Sequence, residues 1–317
     1  MFGKRRKPSG FGLHIQDHQI KLAALSGSGS RIKVRRVHSA ALPEGVIKEG
    51  RILDEDAVLG TLRQAVQTMG ARGSRTVLTI PTSSVVMRRS TMPRLNDREL
   101  RNMIDVELNG GSTQLPFKNP VFDFARAGEN EDGTDVIIFA TPEETVHQYA
   151  GMARKAGLVP VAVDLAPLSL LRLLRRALDA AYAKLQERFM ILHVESETVE
   201  VSIHVDGYPA FFRSIPVQLR SLLDEDTDYM EAYGRYLSVE LARVINYYKY
   251  SVDPDEEAGI DMLFLAGEHH FAEGLVPVLS REFSCTVQRL DFSSVVNDHS
   301  PDIASYAVPI GLALKGA

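Results

Sequence analysis

The chain alternates between short apolar runs with a period of two and longer stretches whose apolar residues recur at helical spacing. Three β-type segments open it: Phe11 to Ile15, Ile20 to Leu25 and Ile32 to Val37, with Ser26-Gly27-Ser28-Gly29-Ser30 as the turn before the third. From Asp54 onward, Val58, Leu62, Ala65, Val66 and Met69 share one helical face, and Gly70 supplies the stop. Thr76 to Ile80 is a strand ending at Pro81, and Val85 to Met87 another. Asn96 and Glu99 make a capping-box-like start for a helix carrying Leu100, Met103, Ile104 and Leu108, which Asn109-Gly110-Gly111-Ser112 ends. Strands Val121 to Ala125 and Val136 to Ala140 flank the acidic turn Glu129 to Gly133. In Thr141-Pro142-Glu143-Glu144 the threonine is the expected cap and the proline the first residue of a helix that stops at Gly157. With the strand Val159 to Val163 this makes an α-β-β-α-β insert of about 70 residues, followed by a long helix from Pro167 to about Glu187.

The second half repeats the first. Gly12 to Leu22 and Ile191 to Val201 align without gaps at an offset of 179. Both read as a strand ending in Leu-His and a β-branched residue, a four-residue polar turn, and an alternating strand. A third strand follows in each half, the second time after the hairpin signal Asp206-Gly207. A two-fold repeat of long period predicts duplicated lobes with a cleft between them and the two turns facing it. Further on, Leu237, Leu241, Val244, Ile245 and Tyr248 mark a helix, Met262 to Leu265 a strand before Gly267, a helix begins near Glu273, and Thr286 to Leu290 is the last strand. The acidic run Asp224 to Asp228 resembles a calcium loop only superficially. Its sixth position is Tyr229 instead of Gly and its twelfth Arg235 instead of Glu, so it is read as charge ahead of a helix N-terminus.

The 317 residues are 44% hydrophobic and 24% charged, which excludes wholesale disorder. Thirty-six basic against 41 acidic residues leave a net charge of −5, which argues against nucleic acid as a partner. The single cysteine, Cys285, excludes an internal disulfide and a cysteine-based zinc site. No apolar run approaches the length of a membrane span. The start is basic (Lys4, Arg5, Arg6, Lys7), but His14, Gln16, Asp17, His18 and Gln19 interrupt any signal-peptide core, so a cytoplasmic protein is expected, with the basic tail able to touch an anionic membrane. No nucleophile elbow, Walker loop or His-Glu-x-x-His occurs, and no catalytic residue is assigned.

Taken together, these segments resemble the PilM family of type IV pilus assembly proteins, relatives of the cell-division protein FtsA. The resemblance rests on Glu44-Gly45-Val46-Ile47 with Gly50-Arg51-Ile52, Arg88 with Met92-Pro93, Glu99-Leu100, Glu107 and Leu115-Pro116-Phe117. It continues through Ala156-Gly157-Leu158, Val161 to Asp164, Pro167-Leu168, Arg213-Ser214-Ile215-Pro216 and Ile310-Gly311-Leu312-Ala313-Leu314. It implies an α/β protein: an actin-like (ribonuclease H-like) duplicated two-lobe fold with an FtsA-type α/β subdomain inserted in the first lobe. The implied division is 1–90 with 166–186 (first lobe), 91–165 (insert), 187–220 with 256–317 (second lobe) and 221–255 (a mainly helical subdomain). It also implies a scaffold of a pilus, secretion or competence complex at the cytoplasmic membrane, binding the N-terminal cytoplasmic tail of a PilN-type bitopic partner. Pilus motor ATPases are the other implied partners. The tail would dock in a groove lined by Ser84, Val86, Met87, Arg88 and Met103.

In actin-like proteins the repeated turns grip ATP, with an Asp for hydrated magnesium and a Gly for close backbone approach to phosphate. Here His14 and His193 occupy the Asp positions, Gln16 and Glu195 the Gly positions, and Asp17 and Glu197 add negative charge, with Ser196 beside them. The adenine-side motif is reduced to Gly267-Glu268. Imidazole is a poor magnesium ligand and carboxylates repel phosphate, so a pseudo-ATPase without a cofactor is expected. ATP with magnesium in a switch or ATPase, and an FtsA-like filament former, are the alternatives. His14 and His193 with Glu195 or Asp17 also raise a shared transition-metal site. The plainer reading, strand-end histidines hydrogen-bonded to nearby backbone or carboxylate, is adopted, and no metal is expected. His269-His270 reads as a surface turn.

Overall fold

A computed structural model describes residues 10–27, 32–110, 114–181, 183–195, 198–217, 229–252, 259–298 and 300–316. Lys4, Arg5, Arg6, Lys7, Ser196, Glu197 and the acidic run Asp224 to Asp228 lie outside them.

The first lobe opens with β1 (Gly10–Ile15), β2 (Gln19–Ser26) and β3 (Lys33–Ala41), followed by a short hairpin of β4 (Ile47–Lys48) and β5 (Arg51–Ile52). Helix α1 (Glu55–Met69) starts where Asp54 accepts the Ala57 N–H and ends at left-handed Gly70, as the pattern requires. Then come β6 (Arg75–Thr79), β7 (Val86–Met92), α2 (Asp97–Asn109), β8 (Pro120–Asn130), β9 (Gly133–Pro142), α3 (Glu143–Lys155), β10 (Val159–Asp164) and α4 (Ala166–Ala180). The second lobe contains β11 (Arg188–Val194), β12 (Thr198–Val205), β13 (Tyr208–Pro216), α5 (Tyr229–Tyr247), β14 (Met262–Gly267), α6 (His269–Glu282), β15 (Thr286–Arg289) and α7 (Ser293–Val296); α8 (Ala307–Lys315) closes the chain.

The sheets bear out the duplication. Sheet order is β10-β6-β1-β2-β3 in the first lobe and β13-β12-β11-β14-β15 in the second. In each, an antiparallel meander of three strands is extended by two parallel strands. Even the turns match: the Gln16 N–H donates to Gln19 O at 2.9 Å and the Glu195 N–H to Thr198 O at 3.0 Å, at the same offset as the sequence repeat.

Three apolar clusters alternate with the sheets. Helices α1 and α3 cover the outer face of the first sheet, with Leu62, Val66, Tyr149 and Met152 against Leu13, Leu22 and Leu78. Helices α4 and α8 lie between the sheets, where Leu170, Leu174, Ile310 and Leu312 meet Leu25 and Val77 on one side and Phe189, Ile191 and Phe264 on the other. Helices α5 and α6 cover the outer face of the second sheet, with Tyr233, Leu237, Leu241 and Leu275. This layering joins the lobes through a shared middle core, so their relative position depends on packing as well as on the cleft.

Several expected boundaries change, each for a packing reason. The C-terminal helix, assigned by the sequence reading to the second lobe, lies directly on β1 of the first. Gly10 and Gly12 permit this, since a Cβ on either would stand 2.0 Å from Ala313 O or 1.9 Å from Pro309 O. Arg172 fastens it from α4, donating to Gly311 O at 2.8 Å and to buried Asp164 at 2.7 Å. The insert contracts to residues 86–142, with sheet order β7-β9-β8 and α2 over Leu100, Ile104 and Leu108. Its expected second helix and last strand belong to the lobe itself: Tyr149, Met152 and Ala153 of α3 enter the first core, and β10 pairs parallel with β6. Asn96 and Glu99 form the capping box as expected. Thr141 does not cap α3, because its hydroxyl donates to Ser84 O at 3.1 Å. Finally, α5 is not a separate helical subdomain among the described residues, for Tyr233, Leu237, Leu241 and Val244 share the second lobe's core.

Candidate functional site

The ends of β1 and β11 face one another, and side chains from the two lobes meet between them. Lys21, on β2 between Ile20 and Leu22, places Nζ 3.2 Å from Glu195 Oε1, and the two side chains are 3% and 4% exposed. This buried pair bridges the lobes. Glu268 lies 4.0 Å from the same ammonium and accepts a hydrogen bond from Gln19 at 3.2 Å. His193 sets Nε2 3.3 Å from Glu195 Oε1 and Nδ1 3.8 Å from Glu200 Oε2.

His14, at the end of β1, is 5.8 Å from His193 between ring centroids. Its Nδ1 lies 2.8 Å from the Thr79 hydroxyl at the end of β6, and its Nε2 is buried with no hydrogen-bond partner. Burial first, and then the nearby charges of His193 and Lys21, hold His14 well below the usual histidine range, so the ring is neutral at pH 7. His193 thus lies against carboxylates, while the partner of His14 is a threonine hydroxyl instead of the expected backbone or carboxylate group. The structure also brings His14, His193 and Glu195 together, with one possible ligand atom from each lying within 4.8 Å of the others.

The other cleft residues have varied roles. Both oxygens of Asp17 accept backbone N–H groups of the β4–β5 loop, from Glu49 at 2.6 Å and Gly50 at 3.0 Å, so this carboxylate holds a loop. Gln16 buries Oε1 without a partner. Gly267 has φ +116°, and a Cβ there would lie 2.0 Å from Val194 O, so the close approach of two strand ends explains this glycine. Lys21, Thr79 and Glu200 escaped the sequence reading. A signal for Lys21 was present: a lysine flanked by Ile20, Leu22, Ala23 and Ala24 on a strand that must be buried on both faces.

The insert offers a second surface. β7 pairs with β9 on one side, and among the described residues no strand pairs with its other edge. Val86 and Met87 are half-buried and Arg88 reaches Glu107 of α2 at 3.6 Å. On α2, Met103 and Val106 are 39% and 70% exposed. Ser84 is committed elsewhere, since its hydroxyl donates to Pro81 O at 2.7 Å at the entry to the insert. Where the insert meets the second lobe, Phe139 stacks on Phe212 of β13 at 6.3 Å. No helix among the described residues is long and apolar enough to cross a membrane.

Comparison with known proteins agrees with this architecture. Over almost its whole length the chain is similar to a solved structure described as a PilM-PilN type IV pilus biogenesis complex, at 22% identity, covering 97% of this chain and 98% of that one, with a TM-score of 0.75. It is also similar to the ethanolamine utilization protein EutJ from Carboxydothermus hydrogenoformans, at 12% identity, 96% and 89% coverage and a TM-score of 0.56. These likenesses establish the two-lobe actin-like fold. The family model described as type IV pilus assembly protein PilM matches residues 12–217, about two thirds of the chain, from within β1 to the end of β13. The chain belongs to the PilM family of type IV pilus assembly proteins.

Proposed function

We propose that the protein is a cytoplasmic scaffold of a type IV pilus or related assembly complex at the inner membrane. It holds the N-terminal cytoplasmic tail of a PilN-type bitopic partner and acts as a pseudo-ATPase. The observation that carries the tail reading is the outer edge of β7, unpaired among the described residues, beside the exposed apolar residues of α2 on the insert. An extended peptide adds to such an edge through backbone hydrogen bonds, and neighbouring side chains select its sequence. The likeness to a solved PilM-PilN complex supports the identity of that peptide. Val86, Met87, Arg88 and Met103 then supply the selecting contacts.

The pseudo-ATPase reading rests on the cleft. A triphosphate with magnesium needs free backbone N–H groups and oxygen ligands. The cleft instead presents Gln16 and Glu195 side chains at the turns, an imidazole at each strand end, and a carboxylate already joined to Lys21. These residues do not fit the group. Motor ATPases as further partners and contact of Lys4 to Lys7 with the membrane surface belong to the same reading.

Fluorescence anisotropy of the labelled partner tail tests it. Saturable binding is expected without nucleotide, and Met103→Glu together with Val106→Glu is expected to weaken it about tenfold or more, each replaced side chain being exposed and so tolerated by the fold. No binding at about 100 µM protein, a concentration at which a complex as weak as about 5.5 kcal/mol is half formed, would overturn the proposal.

A further inference from the structure

We propose that His14, His193 and Glu195 form an inter-lobe binding site for a divalent transition cation of the zinc class. The geometry has three independent parts. First, the ligand atoms converge: two ring nitrogens and a carboxylate oxygen, on side chains that are all buried, lie within 4.8 Å of one another.

Second, each imidazole has an acceptor behind it. The Nδ1 of His14 lies 2.8 Å from the Thr79 hydroxyl, and the Nδ1 of His193 faces Glu200 Oε2 at 3.8 Å. A ring that donates from Nδ1 presents a bare lone pair at Nε2, which is how metal-ligating histidines are usually held; at His193 that lone pair faces Glu195 Oε1 at 3.3 Å, a repulsive contact that a cation between them relieves. In keeping with this, His14 Nε2 and Glu200 Oε2 are both buried atoms with no hydrogen-bond partner. An unpartnered buried acceptor is costly, and a cation at the shared point satisfies the first directly and draws a ring N–H toward the second.

Third, the charge balance favours a cation. Lys21 is faced by two carboxylates, Glu195 and Glu268, and a third, Glu200, stands behind His193, so the described neighbours of the site carry more negative than positive groups. Two imidazoles and one carboxylate select zinc or its transition-metal neighbours over magnesium or calcium. With zinc bonds of about 2.0–2.2 Å the ligand atoms stand about 3.4 Å apart, so binding draws the strand ends together by about 1 Å and leaves one position to water. The cation thus joins β1 of one lobe to β11 of the other. This inference does not depend on the tail reading, and either can fail alone.

Dialysis of chelator-stripped protein against zinc, followed by elemental analysis, tests it. About one equivalent per chain is expected, with Glu200→Gln, which removes no ligand, weakening affinity about 10- to 100-fold. His14→Ala with His193→Ala is expected to retain under about a tenth of an equivalent, and His270→Ala to retain it all. Cobalt in place of zinc is expected to give the intense visible bands of a tetrahedral site, which decides the matter should the double variant fail to fold. Less than about a tenth of an equivalent in the unaltered protein, zinc retained by a folded double variant, or only the faint bands of octahedral cobalt would each overturn the proposal.

Discussion

Replacing Lys21 by methionine is expected to cost about 3–5 kcal/mol of folding stability, the amount typical of leaving one member of a buried ion pair unpaired. Glu195 is 4% exposed and, among the described residues, Lys21 is the lysine it contacts, so the substitution leaves its buried charge with the His193 ring alone beside it. The double variant Lys21→Met with Glu195→Leu is expected to recover most of that loss, because two apolar side chains of similar volume replace the pair without stranding a charge. Urea unfolding of the two single variants, the double variant and the unaltered protein closes the cycle. Equal, additive losses for both single changes would show that the pair does not couple the lobes.

Acid is expected to destabilise the protein well before the carboxylates titrate. His204 is fully buried on β12, stacked on Phe189 at 4.8 Å, with Nε2 3.0 Å from the Ser202 hydroxyl. Burial first, and then the positive charge of Arg175, lower its pKa to about 3 from an ordinary value of 6.5. The folded state therefore binds fewer protons than the unfolded state between those values. The stability this ring contributes is complete above about pH 6.5 and is lost as pH falls toward 3, by about 2 kcal/mol at pH 5 and about 5 kcal/mol over the whole window. His14, also shifted downward by burial, acts in the same direction. Denaturant unfolding at about pH 7.5 and pH 5 measures the slope, and His204→Leu is expected to flatten it. Parallel profiles for the two proteins would refute the assignment.

Much of the fold was legible because the repeat is written in local patterns. The Leu-His strand ends, the polar turns and the Asp206-Gly207 hairpin each constrain a few neighbouring residues, and the sheets reproduce them. What stayed hidden depends on contacts between distant segments. Apolar α8 has no one-sided face, since it is buried all round, and nothing local says that the bare backbone of Gly10 and Gly12 receives it. Helix α3 carries an ordinary amphipathic pattern, and only the position of Tyr149 and Met152 in the first core shows that it has left the insert.

The site divides the same way. The loss of the phosphate-binding pattern at His14, Gln16, His193 and Glu195 is visible residue by residue. The partner that fills the cleft, Lys21, lies on the neighbouring strand, 174 residues from Glu195, and no spacing rule connects them. Asp17 shows the opposite failure: its type and place suited the cleft, yet two nearby backbone N–H groups compete for its carboxylate and win.

The proposed pseudo-ATPase, with the Lys21–Glu195 pair across its cleft, is expected not to bind nucleotide. Thermal unfolding of metal-stripped protein with and without about 1 mM Mg-ATP tests this most directly, since a site with a dissociation constant near 10 µM would add about 2.7 kcal/mol, a shift of several degrees. The expected result is superimposable curves. A clear upward shift would mean that the Lys21–Glu195 pair opens to admit a triphosphate, and would contradict the account.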